Sequence, residues 1–204
     1  MKFWIFDRLM MVGAFAFAMV VDPQYGDAPR CPSCGKYISM RVWLPPNRAR
    51  LTAGTKSSAP GDVITGPGFQ GFMASERFIA ELERANLKGI ERWEPVEIAR
   101  LRNRVFKLGI LPVAKTRVNL HEMRPIFSGD PPDCHTCGAA TIESYEGVVV
   151  DEDSWTGDDI FKVTNLGILV VTEPFADFIA AGQFDGVSLV PAAEFVPSYA
   201  RRAS

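Results

Sequence analysis

The sequence predicts an α+β protein in which two related strand–helix–strand units contribute to a mixed sheet. Three observations support this fold class. Two segments of 30 residues align without a gap at an offset of 97 residues. Within each segment, apolar residues change from strand-like to helix-like spacing at the same place. The short motif Cys-x-x-Cys-Gly also occurs twice, at residues 31–35 and 134–138, so that each unit has one copy nearby.

The composition is that of an ordinary folded protein and narrows the classes of function. Apolar residues make up 47% and charged residues 23% of 204 residues, which is enough for a sizeable core. The formal net charge of −2 does not point to a nucleic-acid or membrane partner. The chain has two histidines, His121 and His135, and lacks the common nucleotide-binding, metalloprotease and hydrolase motifs. We therefore expect neither an enzyme nor a small-molecule substrate.

The chain begins with a predicted strand that is followed by an apolar run. Residues 1–7, MKFWIFD, are rich in the aromatic and β-branched residues that favour strands. Residues 9–21 form an apolar run of 13 residues, too short for a membrane-spanning helix, which takes about 20 residues. Because Lys2 and Arg8 precede the run, an export signal is one interpretation. The interpretation that we prefer is a buried strand or helix in a cytoplasmic protein with no membrane partner.

An internal repeat underlies the predicted units. The aligned segments are GDVITGPGFQGFMASERFIAELERANLKGI at 61–90 and DDIFKVTNLGILVVTEPFADFIAAGQFDGV at 158–187. Identical residues occupy four aligned positions: Asp62 and Asp159, Glu76 and Glu173, Phe78 and Phe175, Gly89 and Gly186. Chance likeness between two amphipathic helices is the alternative; we infer a duplicated unit. The predicted organisation is a single domain, 1–204, with pseudo-repeats at about 24–98 and 127–196 and a basic connector at 98–119.

Each unit is predicted to open with two strands and a helix. The strands are expected at 63–64 and 71–74 in the first unit and at 160–161 and 167–171 in the second. Ser75 and Thr172 are predicted N-caps, because a hydroxyl accepts a hydrogen bond from the first turn of a helix. The residues that recur at helical spacing form the predicted buried faces: Phe78, Ile79, Leu82, Phe175, Phe178 and Ile179.

The segments outside the helices are assigned by their composition. Gly89 and Gly186 lie just beyond the helices, where glycine permits a turn at positive φ. Returning strands are expected at 90–98 and 187–193, further strands at 37–44 and 140–150, and a short helix at 96–111. The segments 45–62 and 127–133 are rich in Pro, Gly and Ser and are predicted to be exposed loops.

All four cysteines of the chain lie in the two repeated motifs. Thiolates bind zinc strongly, and two cysteines with two residues between them can hold one ion across a tight turn. The glycine after the second cysteine lets the backbone reverse. One zinc-ribbon-like site with a single structural Zn²⁺ is therefore predicted to join the units, and its ligands are Cys31, Cys34, Cys134 and Cys137. Four protein ligands leave no open position for catalysis.

Two other readings of the cysteines stay open. Disulfide bonds would suit an exported protein. A thioredoxin-like redox pair needs its first cysteine at the start of a helix that follows a strand. Here Pro29 and Pro132 lie shortly before the motifs and glycine follows them, which does not favour a redox pair. His135, inside the second motif, is expected to point to solvent because four thiolates already satisfy the metal.

The paired CPSCG and CHTCG motifs, the opening MKFW and the segment FMASERFIAELERANLKGIERWEPVEI together resemble the double C-x-x-C-G motif proteins of myxobacteria. That family is associated with immunity to swarm-inhibition toxins exchanged between kin cells. The resemblance covers nearly the whole chain, although the apolar run at 9–21 departs from the family's pattern. The motif residues that carry its specificity are Cys31, Cys34, Gly35, Cys134, Cys137 and Gly138. The resemblance implies a small cytoplasmic protein that binds and neutralises one cognate toxin.

Two charged segments are candidate partner surfaces. Residues 143–159 contain seven acidic residues and no basic one. The candidate toxin contacts in this segment are Asp151, Glu152, Asp153, Trp155 and Asp158. The alternative is a solvated loop whose tryptophan folds back onto the core. Residues 98–119 contain six basic residues and no acidic one, which gives the alternative function of a zinc-ribbon nucleic-acid-binding module. Few aromatic residues lie among these cations, so nucleic acid is the less favoured partner.

Overall fold

The structure is a computed structural model, and it describes most of the chain. The described residues are 1–6, 15–38, 41, 43–54, 59–65, 71–99, 101, 105–119, 122–127, 134, 136–137, 142–164 and 166–197. This part of the chain is a mixed α+β structure in which strands predominate over helices. The coarse fold class expected from the sequence is therefore confirmed.

The first half of the chain contributes nine strands and one helix within the described ranges. In chain order they are β1 (Phe3–Phe6), β2 (Phe17–Val20), β3 (Gln24–Tyr25), β4 (Trp43–Leu44), β5 (Asn47–Thr52), β6 (Val63–Ile64), β7 (Met73–Ser75), α1 (Glu76–Arg84), β8 (Arg92–Ala99) and β9 (Phe106–Ile110). The second half continues with β10 (Arg124–Phe127), β11 (Ile142–Glu146), β12 (Ile160–Lys162), β13 (Leu169–Thr172), α2 (Glu173–Gly182) and β14 (Leu189–Pro191).

A mixed sheet of six strands occupies the first half. Its spatial order is β2-β5-β8-β9-β7-β6, and β5 pairs with β8 in parallel while the other neighbours are antiparallel. Side chains of these strands enter one apolar cluster that includes Ile64, Met73, Phe106 and Leu108. Trp43 of β4, at the end of the loop that carries the first cysteine motif, is buried in the same cluster and anchors that loop.

A second, antiparallel sheet holds the N-terminal strand at its centre. Its order is β12-β13-β1-β14, with Trp4 opposite Val171 on one side and Pro191 on the other. The predicted first strand at the N-terminus is therefore confirmed. Ile5 and Phe6 are buried on opposite faces of this sheet, each in a different apolar cluster, as the alternation of side chains along a strand requires.

The two helices begin at aligned positions, but their N-caps differ. Ser75 accepts a hydrogen bond from the backbone N–H of Phe78 at 3.3 Å, so its predicted capping role is confirmed. Thr172 stands at the N-cap of α2 but makes no side-chain cap; its hydroxyl donates to Asp159. The predicted side-chain cap at Thr172 is therefore wrong.

The helices pack against each other through aromatic rings. The Phe78 ring lies 5.5 Å from that of Phe178 and 4.8 Å from that of Phe184. The predicted buried face of α1 is confirmed, because Phe78, Ile79 and Leu82 are all buried. On α2, Phe175 is fully buried whereas Phe178 and Ile179 are only partly buried.

Two predictions about elements are wrong. The segment 45–62 was expected to be an exposed loop, yet it contains β5, which lies between β2 and β8 in the larger sheet. The segment 96–111 was expected to be a short helix, yet β8 and β9 occupy most of it. In both cases the residues pair across the sheet with distant partners, and this pairing overrides local composition.

The apolar run at 9–21 lies partly outside the described residues. Residues 15–21 are described, and Phe17–Val20 form β2 at the edge of the larger sheet. Among the helices that the structure describes, none has the length and apolar character needed to cross a membrane.

Candidate metal centre

The first cysteine motif forms a tight turn closed by backbone hydrogen bonds. The N–H of Cys31 donates to the carbonyl of Lys36, and the N–H of Gly35 donates to the carbonyl of Cys31, both at 2.9 Å. Gly35 has φ of +70°, a conformation that glycine adopts without the strain of a side chain. The predicted reversal of the backbone after the second cysteine is therefore confirmed, and it brings both thiols to one side of the turn.

The two cysteine motifs meet face to face. The Sγ atoms of Cys31 and Cys134 are 3.7 Å apart, and those of Cys34 and Cys137 are 3.8 Å apart. Between these pairs, the hydroxyls of Ser33 and Thr136 lie 2.6 Å apart. Each contact joins residues at the same offset of 103, so equivalent positions of the two motifs face each other. The prediction that the four cysteines come together is confirmed.

The sulfur cluster fits a tetrahedral metal ion. Zinc–sulfur bonds of about 2.3 Å in a tetrahedron place the sulfur atoms about 3.8 Å apart. The two facing pairs match this edge length, and all four sulfurs lie within 4.8 Å of one another. Cys31 and Cys134 are buried, whereas Cys34 is exposed, so the site has one protected side and one side open to solvent. Four convergent thiols are the donor set of a closed metal site.

The other readings of the cysteines fit the geometry less well. All four thiols are free, and the facing sulfurs stand well beyond the bonded distance of about 2.05 Å. Cys31 lies in a turn between β3 and β4 rather than at the start of a helix, so the redox arrangement is absent from this described turn. His135 and Gly138 lie outside the described residues.

Hydrogen bonds within the motifs stabilise negative charge on two of the sulfurs. The backbone N–H of Cys137 is the main cause that lowers the pKa of the Cys134 thiol to about 6. The backbone N–H of Cys34 likewise lowers the pKa of Cys31. At Cys34 the N–H of Lys36 acts in the same direction, but desolvation and the thiols of Cys134 and Cys31 outweigh it and the pKa is raised. A divalent cation would favour the thiolate form at all four positions.

The predicted acidic contact residues are partly engaged within the chain. Asp151 pairs with Arg117 at 3.0 Å, and Glu152 pairs with the N-terminal ammonium at 2.8 Å. The Trp155 ring meets the edge of Phe3 at 5.9 Å, and its indole N–H donates to the carbonyl of Asp158. Trp155 is therefore half-buried against the core, while the side chain of Asp153 in the same loop is exposed.

Two aspartates that the sequence aligned have a role that the sequence did not indicate. Asp62 accepts a hydrogen bond from the hydroxyl of Ser75 at 2.9 Å and one from the backbone N–H of Asp185 at 3.3 Å. Asp159 accepts the equivalent bonds from Thr172 at 2.8 Å and from the N–H of Lys88 at 2.9 Å. Each carboxylate thus links its own helix start to the turn that follows the opposite helix. The sequence signal that could have indicated this role is the presence of aspartate at both aligned positions.

Comparisons with known proteins do not assign the chain to a family. A scan against protein-family models finds no matching model, and a search of the curated proteins finds no similar sequence. The resemblance described above therefore rests on the cysteine motifs, the opening MKFW and the segment 72–98.

Proposed function

We propose that the protein is an immunity protein that neutralises one cognate toxin of the swarm-inhibition type by stoichiometric protein–protein binding. The observation that carries this proposal is the meeting of the two Cys-x-x-Cys-Gly motifs in one four-sulfur cluster. These motifs give the sequence its resemblance to the double-motif family. Because both copies contribute to a single centre, they act as one structural feature of the fold rather than as two separate sites.

The proposed cofactor is one structural Zn²⁺, held by Cys31, Cys34, Cys134 and Cys137. The ion would supply a cross-link between two turns that lie about 100 residues apart in the chain. Its four protein ligands would leave no position for water or substrate, so the role that we assign to it is stability and not catalysis. The residues around the sulfurs contribute the backbone N–H groups that favour thiolates.

The proposal includes an ancestral duplication of one unit. The paired bonds of Asp62 and Asp159 are reciprocal, as are the contacts between the cysteine motifs. In a twofold-symmetric dimer, residue i of one copy contacts residue j of the other and the reverse contact also occurs. The same pattern within one chain supports two related halves that face each other across an approximate twofold axis. Such an arrangement, fixed by a metal, is a rigid platform for binding another protein.

The proposal is tested through the neighbouring gene, because an immunity gene is expected to lie beside the gene of its toxin. The neighbouring product would be expressed in a host cell alone and together with this protein. We expect growth arrest in the first case and growth in the second, with a 1:1 complex recovered from the lysate. A Cys31→Ser, Cys134→Ser variant is expected to protect less well, because its platform lacks the metal. A harmless neighbour, or arrest despite stable expression of this protein, would contradict the proposal.

The rival function, nucleic-acid binding by the basic segment 98–119, receives little support from the described residues. Arg100, Arg102 and Arg104 lie outside them. Of the three described cations, Lys107 lies in β9 within the sheet, Arg117 is already paired with Asp151, and Lys115 is exposed. A gel-retardation assay distinguishes the two functions, since phosphate contacts lose affinity steeply as salt rises. Salt-sensitive retardation by the purified protein, together with a harmless neighbour, would favour the nucleic-acid function.

A further inference from the structure

The two chain segments that carry the cysteine motifs have opposite charge. Residues 28–61, which include the first motif, contain six basic residues and no acidic one. Residues 127–158, which include the second motif, contain eight acidic residues and no lysine or arginine. The net charge of −2 therefore conceals a basic segment and an acidic segment. Arg30 and Arg41 of the basic segment lie in the loop between β3 and β4, whereas Arg48 and Arg50 lie in β5.

Two arginines of this loop are held in place by carbonyl groups and aromatic rings. Arg30 donates to the carbonyl of Gly35 at 3.1 Å, and its guanidinium lies 3.7 Å from the centre of the Tyr37 ring. Arg41 donates to the carbonyls of Gly26 and Tyr25 at 2.8 and 2.9 Å. Its guanidinium lies 5.5 Å from the Tyr25 ring. Both side chains are exposed and yet have a defined direction.

Neither guanidinium is neutralised by a carboxylate of the described chain. Arginines elsewhere do form ion pairs: Arg48 with Glu97, Arg77 with Asp62, Arg84 with Glu81, Arg92 with Glu91 and Arg117 with Asp151. The contacts of Arg30 and Arg41 with neutral carbonyls orient the positive charge but leave it uncompensated. Such cations can bind a carboxylate without first losing a partner and with little loss of side-chain entropy.

We propose that this surface, the arginine–tyrosine face formed by the pairs Arg30 with Tyr37 and Arg41 with Tyr25, docks an acidic patch of the toxin. The proposal rests on the proposed function and adds the surface and the charge of its partner. Tyr37 is 43% exposed, so apolar area is available beside the Arg30 cation. Arginine and tyrosine, with tryptophan, are the residue types enriched among those that dominate the energy of protein interfaces.

The observations favour a protein partner over nucleic acid at this face. A guanidinium covers one face of each of the Tyr37 and Tyr25 rings, which leaves at most one face of each ring on which a base could stack. The face also differs from the predicted acidic loop, where Asp151 and Glu152 are paired within the chain and Trp155 is packed on Phe3. Charged side chains that lack a partner are the better candidates for contact.

The test compares three proteins in titration calorimetry with the purified product of the neighbouring toxin gene. They are the wild type, the variant Arg30→Ala, Arg41→Ala, and the control Arg84→Ala, Arg92→Ala, which removes the same two charges elsewhere. We expect the first variant to lose at least about 30-fold in affinity and the control to lose less than about threefold. Metal content and melting temperature are measured for each, and Arg30→Gln and Arg41→Gln replace the double variant if it unfolds.

The outcomes separate the docking surface from the function. If the wild type binds and the first variant binds equally well, the arginine–tyrosine face is not the docking surface while the immunity function stands. If Asp153→Asn or Trp155→Ala weakens binding instead, the acidic loop is the contact surface. Absence of wild-type binding overturns the function and this proposal together. Retardation of a 20-nucleotide single strand that is lost in Arg30→Ala, Arg41→Ala would assign the face to nucleic acid and overturn the protein-docking proposal.

Discussion

At the scale of single residues, the cysteines are equivalent in sequence but not in environment. Cys31 and Cys134 face each other in a buried position, and Cys34 lies on the exposed side of the cluster. A buried thiol contributes packing as well as ligation, so its replacement would change the core and the metal site together. Replacement of Cys34 isolates the contribution of the metal bond, because little of its side chain is packed.

We predict that Cys34→Ser lowers metal affinity by more than the roughly 10–100-fold that changes beside a metal ligand usually cost. Ser33→Ala is the matched control, since Ser33 lies on the same exposed turn and contacts Thr136 but is not a predicted ligand. Elemental analysis of reduced protein should find about one metal ion per chain in the control and substantially less in Cys34→Ser. Equal metal content in the two variants would remove Cys34 from the ligand set.

Asp62 is the second residue whose chemistry can be tested alone. Burial raises the pKa of its carboxyl group, but hydrogen bonds from Arg77 and Ser75 outweigh burial and hold the pKa below its ordinary value. We predict that Asp62→Asn lowers the free energy of unfolding by about 2–4 kcal/mol at pH 7, because the hydrogen bonds from Arg77, Ser75 and Asp185 lose a buried, charged acceptor. Urea unfolding measures the loss. Asp159→Asn is the comparison and is expected to cost less, since Pro174 stands at the aligned position of Arg77.

The same carboxylate predicts the pH dependence of stability. Because the folded pKa is lowered, the unfolded chain binds the proton more readily, and the stabilisation by Asp62 is present above the unfolded pKa of about 3.9. It is lost as the pH falls through the lower folded value. The difference between wild type and Asp62→Asn should therefore be constant from about pH 5 to 7 and shrink below about pH 4. A difference that does not change between pH 7 and 3 would contradict this assignment.

The cysteines and the aspartates show what single residues reveal in a sequence. Thiols have few common roles in proteins. The presence of all four cysteines in two copies of one motif therefore predicted that their side chains come together. Asp62 and Asp159 were equally visible as aligned identities, but a carboxylate has many roles. Their function depends on the backbone N–H groups of Asp185 and Lys88, which lie 123 and 71 residues away. No local pattern specifies such partners.

At the scale of elements, the turns that follow the two helices approach the strand of the opposite unit. The backbone carbonyl of Lys88 accepts from the N–H of Ile160, and that of Asp185 accepts from the N–H of Val63, both at 3.0 Å. A Cβ atom at Gly89 would lie 1.9 Å from the carbonyl oxygen of Ile160. At Gly186 it would lie 2.1 Å from that of Val63. Glycine is required at both turns because the backbones are in direct contact.

We predict that Gly89→Ala destabilises the protein by at least about 3 kcal/mol, because strain at φ of +118° adds to this clash. Gly157→Ala is the control, since Gly157 has φ of +85° but no atom within 4 Å of the added Cβ. The control should cost only about 1–2 kcal/mol from the left-handed conformation. Chemical denaturation of both variants gives the comparison, and equal losses would show that the contact between the turns contributes nothing.

The elements that the sequence predicted poorly are those that depend on distant pairing. The helices and the strands before them were predicted because their apolar spacing, caps and glycines are local signals. The strand β5 was read as a loop because NRARLT offers only Ala49 and Leu51 as apolar residues, and Asn47 is buried through bonds to Glu94 and Pro95. The polar residues in the segment of β8 and β9 likewise resembled the exposed surface of a helix. Pairing with distant strands determined the secondary structure of these segments, and such pairing cannot be read from the local sequence.

At the scale of the whole molecule, two of the contacts between the halves differ in what holds them together. One is the pair of turns at Gly89 and Gly186, and the other is the four-sulfur cluster. The first consists of hydrogen bonds and packed backbone that form whenever the core forms. The second depends on a metal ion in the proposed function. The two places therefore predict different responses to a chelator.

We predict that removal of the metal lowers stability without abolishing the core. An ion that joins Cys31 to Cys134 closes a loop of about 100 residues, for which the chain-entropy argument developed for disulfides gives about 4–5 kcal/mol. For a chain of this size, that loss corresponds to a fall of roughly 10–20 °C in melting temperature. A zinc chelator added to reduced protein, followed by readdition of Zn²⁺, measures the effect and its reversal. The packed turns at Gly89 and Gly186 should keep the far-ultraviolet spectrum nearly unchanged at 20 °C. If the protein is shown to release its metal and the chelator leaves its melting temperature unchanged, the sulfur cluster is not a structural cross-link.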